Sequence, residues 1–277
     1  MNDADLDRWL EKILNRTAPA AGEIARTLET AHARLGRRLD AVRREPAAVG
    51  IIASPLGDLL AVVSDRGLAM LKYAAMPDGK SLAQLLAKAR ESFDLYLDDV
   101  RIGPVRAELE RFFAGDLASL SYPVDLRLAG EGFQRAVLRL LRKVSPGATI
   151  SYQALGAWAG APKASRAVGN AMHTNPIAIY APCHRVIQSN GGLGGYAGGL
   201  PIKRKLLRLE GFRLDGGNKL MGAVLGHRGT GIFCRPDCRA ARRTDRTQQL
   251  LFCDGYHARR AGLRACKICQ PAEAANG

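Results

Sequence analysis

The sequence has no uninterrupted apolar run of the ~18 residues that a membrane-spanning helix needs, which excludes such a span. It also has no basic leader. The chain begins Met-Asn-Asp-Ala-Asp-Leu-Asp, the wrong sign of charge for a secretory signal, so a reducing, cytoplasmic compartment is expected. Acidic residues nearly vanish from one stretch: residues 132–217 hold 12 Lys and Arg against two acids, Glu210 and Asp215. The glycine-rich segment from Gly191 to Gly199 lacks the spacing of a nucleotide P-loop, and no ATP site is inferred from it.

What is present begins with apolar content. With 47% hydrophobic residues among 277, the chain can build packed cores and is not a disordered basic tail; the length suggests about two domains. Its formal net charge of +15 is unevenly spread. Residues 49–131 carry 9 basic and 12 acidic side chains, whereas residues 218–277 carry 11 and 4. Together with the nearly acid-free stretch before it, that segment gives one end of the molecule a positive field suited to a polyanion.

Two amphipathic helices are expected before residue 46, carried by Leu6, Trp9, Leu10 and Ile13, then by Ile24, Leu28, Leu35 and Leu39. Between Val49 and Tyr73, short apolar runs separated by Pro55-Leu-Gly57 and Asp65-Arg-Gly67 predict a small antiparallel sheet. Helical stripes follow at Leu82–Phe93 and Val105–Phe113, and again at Phe133–Val144. Ser151–Ala159 and Lys163–Thr174, joined through Gly160-Ala-Pro162, read as a helix-turn-helix whose second helix would recognise nucleic acid. A last helix spans Ile202–Leu209. The expected division is a helical extension (1–46), an α/β unit (47–130), a helical unit (131–215) and a small C-terminal unit (218–277), overall an α+β protein.

Cysteine placement separates two chemistries. Cys183 stands alone, while Cys234, Cys238, Cys253, Cys266 and Cys269 crowd near the C-terminus. The string Pro182-Cys-His-Arg-Val186 sets an imidazole beside a thiol, the pairing that activates a sulfur nucleophile, although a lone cysteine is more often an inert core residue. Residues Phe133–Gly211 resemble the O6-alkylguanine-DNA alkyltransferase family through Ile150-Ser-Tyr-Gln153, Ser165-Arg-Ala-Val-Gly169, Asn175-Pro176, Pro182-Cys-His-Arg-Val186, Gly195-Tyr-Ala-Gly-Gly199 and Leu206-Leu-Arg-Leu-Glu-Gly211. Ser54-Pro-Leu-Gly57 and its surroundings are similar to that family's small N-terminal subdomain.

The resemblance implies single-turnover repair in which Cys183 takes the alkyl group from O6 of guanine, with O4-alkylthymine as a further substrate. His184 would deprotonate Cys183 through a water, and Glu210 would hold the imidazole. Asn175 would tie the recognition helix to the active-site segment. Tyr152 and Arg166 would rotate the nucleotide out and fill its place, and Val186, Tyr196 and Ala197 would line the site. Ala197 stands where some relatives carry serine, which leaves only a backbone N–H there. The implied partner is alkylated double-stranded DNA, bound by a monomer associated with the nucleoid, with no organic cofactor. The rival from another class is a non-enzymatic DNA-binding sensor or regulator of alkylation.

Cys234-x3-Cys238 and Cys266-x2-Cys269 have the spacing of four thiolates around one zinc, with Cys253 outside the set. Gly229–Arg239 and Ala261–Pro271 resemble the zinc domain of the bacterial Ada adaptive-response proteins. That resemblance implies that Cys234 accepts a methyl group from a DNA methylphosphotriester. A zinc knuckle that only grips DNA through Arg235, Arg239, Arg242, Arg243, Arg259, Arg260 and Arg264 is the alternative for this segment.

Overall fold

The computed structural model describes residues 44–75, 79 and 81–272, so both helices expected before residue 46 lie outside the described residues. Strands β1 (Glu45–Ile52), β2 (Leu59–Ser64) and β3 (Gly67–Tyr73) pair antiparallel across the two expected turns. Both faces of this sheet are covered. Ala48, Leu59, Ala61 and Val63 pack with helix α2 (Asp99–Phe113), while Val49, Leu60 and Val62 pack with helix α1 (Leu82–Arg90). That alternation is the period-two consequence of an extended chain, and it explains why β2 is buried along its whole length.

Helix ends shift by up to three residues from their expected bounds, and two elements differ by more. Helix α1 stops at Arg90, and Phe93, expected to end it, instead opens strand β4 (Phe93–Leu97), which joins β1 in parallel. Buried Phe93 and Leu95 flank exposed Asp94, a strand pattern that the helical reading absorbed. Helix α2 begins at Asp99 rather than Val105, because the Asp98 carboxylate caps it by accepting from Arg101 N–H, and Pro104 is carried inside the helix. The Glu108 carboxylate of α2 accepts from the Ser121 and Tyr122 N–H groups and from the hydroxyls of Ser121 and Tyr180. These bonds fasten the N-terminal unit to the segment that leads into Cys183.

Helix α3 (Phe133–Leu141), strand β5 (Ala148–Ser151) and the pair α4 (Tyr152–Trp158) and α5 (Ser165–His173) follow. Ser151 caps α4 by accepting from Ala154 N–H. The turn into α5 closes tightly: a Cβ on Gly156 would stand 2.9 Å from the Ala161 carbonyl, so only glycine fits there. Strand β6 (Val186–Ile187), helix α6 (Leu200–Leu209) and the hairpin of β7 (Arg213–Leu214) and β8 (Leu220–Met221) complete this part.

The C-terminal strands β9 (Val224–His227), β10 (Ile232–Cys234), β11 (Gln249–Phe252) and β12 (Arg264–Ala265), with helix α7 (Gly255–Arg260), do not form a sheet of their own. They continue the sheet of β5 and β6 in the order β12-β10-β9-β11-β5-β6. Leu250 of β11 faces Ile150 of β5, and Ile150 faces Val186 of β6. Phe233, Phe252 and Leu263 accordingly share one apolar core with Val137, Ile150 and Val186. Cys234 ends one strand of this sheet, and Cys183 lies three residues before another.

Candidate active site and metal centre

The chain enters the site through Asn175, whose Nδ2 donates to the Ala181 carbonyl at 2.8 Å and whose Oδ1 accepts from Ile177 N–H. Ile179 adopts a left-handed φ of 69°, a conformation that a β-branched residue takes only under constraint. Pro182 then leads into a single 3-10 turn, Cys183–Arg185, that sets three functional side chains in consecutive directions.

Cys183 is 5% exposed and forms part of the wall of a cavity of about 590 Å³. Tyr152, Arg166, Tyr196 and Ala197 line the same cavity, so four residues singled out from sequence are gathered around the thiol. Val186 is not among the lining residues: it is wholly buried in β6, and its carbonyl accepts from Lys203. Burial pushes the Cys183 thiol pKa up, against an opposing hydrogen bond from Asn175 and the positive charges of Lys72 and Lys203. The thiol is therefore protonated at neutral pH and inert until a base acts on it.

The adjacent residue carries the candidate base. His184 and Glu210 are both fully buried, with His184 Nε2 2.8 Å from Glu210 Oε1. Burial holds the imidazole neutral by lowering its pKa, against the attraction of Glu210. Nε2–H then donates to the carboxylate and Nδ1 is left as an acceptor, and Nδ1 is a buried atom without a partner. Burial also works against the charge of Glu210, yet Arg185 and His184 together bring its pKa down to about 2. Arg185 grips that carboxylate through Nε at 2.9 and 3.0 Å and through Nη2 at 2.7 Å, while Nη1 donates to the Val144 carbonyl.

Sequence reasoning missed three members of this arrangement. Arg185 balances Glu210, as described. Lys203 is fully buried, and its ammonium donates to the carbonyls of Val186, Leu193 and Gly195, pinning β6 to the glycine loop; burial lowers its pKa to about 8, against the pull of Cys183. Its signal was its place on the apolar stripe of α6, three residues from Leu200 and from Leu206. Tyr73 of β3 has its hydroxyl 3.1 Å from that of Tyr196, so the N-terminal unit braces the loop over the cavity. Gly198 makes the approach possible, since a Cβ there would meet the Tyr73 ring at 2.6 Å.

At the other end of the sheet, the Sγ atoms of Cys234, Cys238, Cys266 and Cys269 all lie within 4.8 Å of one another. Backbone N–H groups converge on them: Arg235 N–H donates to Cys269 Sγ at 3.4 Å, those of Ala240 and Ala241 to Cys238, and those of Ile268 and Cys269 to Cys266. Four sulfurs this close together, with N–H donors, fit a tetrahedral cation, zinc above all, and without one their thiolates would repel. Cys234 and Cys266 also line an apolar cavity of about 340 Å³. Cys253 lies outside this set, beside His257 Nδ1 at 3.1 Å, and the Asp254 carboxylate next to it caps α7 by accepting from His257 N–H.

Two family descriptions match the chain, one over each of these regions. Residues 132–212 match the family described as 6-O-methylguanine DNA methyltransferase, DNA binding domain, and residues 221–272 match the metal binding domain of Ada. The chain is 42% identical over 163 residues to a methylated-DNA–protein-cysteine methyltransferase of Methanosarcina acetivorans, covering 58% of this chain and 96% of that one. It is 37% identical over 164 residues to the protein of the same name from Salmonella typhimurium, covering 59% and 95%. The crystal structure of Mycobacterium tuberculosis O6-methylguanine methyltransferase superimposes with a TM-score of 0.50 at 35% identity, over 59% of this chain and 92% of that one.

Proposed function

The chain belongs to the methylated-DNA–protein-cysteine methyltransferase family and carries an Ada-type zinc-binding module, and from that premise we propose that Cys183 is the acceptor and that residues 183, 184 and 210 form its relay. The observation that carries this reading is the unpartnered, buried Nδ1 of His184, whose opposite nitrogen is fixed by Glu210. A water at Nδ1 passes the Cys183 proton to the imidazole. Sγ then bonds to the alkyl carbon as the carbon–O6 bond breaks. The electron pair stays with the guanine, which takes up the proton relayed back from His184 and remains in the DNA as an ordinary base. The thioether left on Cys183 is stable, so each molecule acts once.

An O6 atom inside a duplex is closed to a thiol, so the nucleotide must be extruded at a cost of a few kcal/mol. Tyr152 at the N-terminus of α4 and Arg166 in the first turn of α5 both line the cavity; the tyrosine crowds the backbone and the guanidinium takes the place of the departed base. Asn175, Lys203 and the Tyr73–Tyr196 pair hold the cavity walls in place. Double-stranded DNA carrying alkylated bases is the substrate, met by a monomer in the cytoplasm at the nucleoid. None of the helices among the described residues is long and apolar enough to cross a membrane.

Zinc on the four cysteines, when bound, keeps their sulfurs deprotonated and nucleophilic at neutral pH. Cys234, beside its apolar cavity, takes the methyl carbon of a methylphosphotriester, and the broken carbon–oxygen bond leaves its electrons on a phosphodiester. The test is peptide mass mapping after incubation with O6-methylguanine duplex and, separately, with methylphosphotriester duplex. One methyl is expected on Cys183 from the first and one on Cys234 from the second. An unmodified Cys183 in protein that has bound the first duplex would overturn the principal reading.

A further inference from the structure

Three cavities of the molecule are neighbours that share wall residues. The Cys183 cavity shares Gln188 as a wall with a neighbouring groove of about 260 Å³, and that groove shares Leu225, Ala241 and Gln249 with the cavity holding Cys234 and Cys266. The middle groove is polar on both sides. Ser151, Gln153 and Gln188 face it from the alkyltransferase part; Arg242 and Arg246 face it from the metal module, near Pro236, which lies between two of the zinc cysteines. No acidic residue lines it. Both guanidiniums are exposed, and neither makes a hydrogen bond or ion pair with any described residue.

The two walls are held at a fixed spacing. Strand β11 is bonded to β5, Trp158 Nε1 donates to the Thr247 carbonyl at 3.0 Å, and Arg228 covers the Trp158 ring at 4.1 Å. The groove is therefore a built feature rather than a gap between two loosely linked parts.

We propose that these cavities form one trough that carries a single DNA strand past both cysteine centres. Resting on the reading of Cys183 as a DNA-directed acceptor, the backbone flanking the extruded nucleotide runs past Gln188 and Gln153, lays its phosphates on Arg242 and Arg246, and continues to the mouth of the Cys234 cavity. A phosphodiester strand is the occupant that fits. The groove shares the Gln188 wall with the lesion cavity, its free donors are two guanidiniums and the amides of Gln153 and Gln188, and segments of strongly positive charge bound it on both sides. The metal module is thus part of the footprint of the alkyltransferase, and a base lesion and a phosphotriester on one strand are offered to their acceptors in the same encounter.

The experiment uses the full-length, zinc-loaded chain and the variant Arg242→Gln/Arg246→Gln. Duplex affinity is measured against salt, and Cys183 alkylation is timed with subsaturating O6-methylguanine duplex and with the free base O6-methylguanine. Loss of two phosphate contacts flattens the slope of log affinity against log salt by about 1.8 and weakens binding roughly tenfold. Alkylation from the duplex slows by the same factor, while the free-base reaction and zinc content are unchanged. An unchanged salt slope overturns the trough, as does an equal loss on the free base. An equal loss in the charge-matched Arg66→Gln/Lys88→Gln control, in the N-terminal unit, also overturns it. If wild-type Cys183 is not alkylated at all, the acceptor reading fails, and the salt slope still decides the trough.

Discussion

The two thiol centres solve one problem in opposite ways. Cys183 is a single buried sulfur whose pKa is raised by its surroundings, and the next residue is a neutral imidazole held by a carboxylate that a guanidinium grips in turn, the relay proposed for its proton. The Cys234 centre instead brings four sulfurs within 4.8 Å of one another, an arrangement whose thiolates a bound cation would hold together. The packing differs accordingly. Cys183 sits in the main core of the molecule, whereas the apolar cluster around Cys234 consists of little more than Cys238, Ala241 and Cys266. A thiol activated by side chains needs a large scaffold to orient them, while one activated by a metal can be held by a module with almost no core of its own.

The contrast breaks most sharply at Cys183 itself. Cys183→Ala is expected to abolish alkyl transfer from O6-methylguanine duplex, measured as methyl incorporation, while zinc content and duplex affinity stay at wild-type level. Next in size is removal of the metal by a chelator. Structural zinc contributes on the order of 10 kcal/mol in small modules, so residues 221–272 should lose amide protection in hydrogen exchange. Cys183 should still accept an alkyl group from the free base; its failure to do so would mean that the two centres are one unit in folding as well as in sheet.

Glu210→Gln sharpens the account of the Cys183 side. The folded-state pKa of Glu210, about 2, lies below its ordinary 4.5, so the stability it contributes is fully present above pH 4.5 and is lost as pH falls towards 2. The shift corresponds to about 3 kcal/mol. The variant should be destabilised by about that amount at pH 7 in urea melts and should lose less stability on acidification than wild type. Its alkyl transfer should fall by about a hundredfold, the scale of a lost general-base arrangement. The smallest effect is expected at Lys203, whose folded pKa of about 8 lies below the ordinary 10.5. Folding opposes its charge at every pH below 8, so wild-type stability should rise as pH climbs from 8 to 10.5. Lys203→Met should remove that rise and slow transfer by less than Glu210→Gln does, since the thiolate loses one of the positive charges that favour it.

Much of this was legible in the sequence because local spacing encodes it. The helix pair α4 and α5, the Cys183-His184 step and each of the two cysteine pairs are encoded in short stretches of chain, and the structure gathers Tyr152, Arg166, Tyr196 and Ala197 around one cavity. What could not be read depends on long-range pairing. Nothing in Gln249–Phe252 announces that it will bond to Ala148–Ser151, a hundred residues earlier, and thereby place both thiol centres on one sheet. Lys203 was passed over because a lysine in a helix is usually solvated, and only its three carbonyl partners make it a core residue. Phe93 continues the apolar stripe of Leu82–Arg90 in sequence, and only its pairing beside β1 makes it a strand residue.

The claim that side chains activate one thiol and a metal the other is tested most directly with a duplex carrying both an O6-methylguanine and a methylphosphotriester. Zinc-loaded and zinc-stripped protein are incubated with it, and the methylated peptides are identified by mass. The account predicts methyl on Cys183 in both preparations and on Cys234 in the zinc-loaded protein alone. Methylation of Cys234 without zinc, or of Cys183 only with it, would contradict the account.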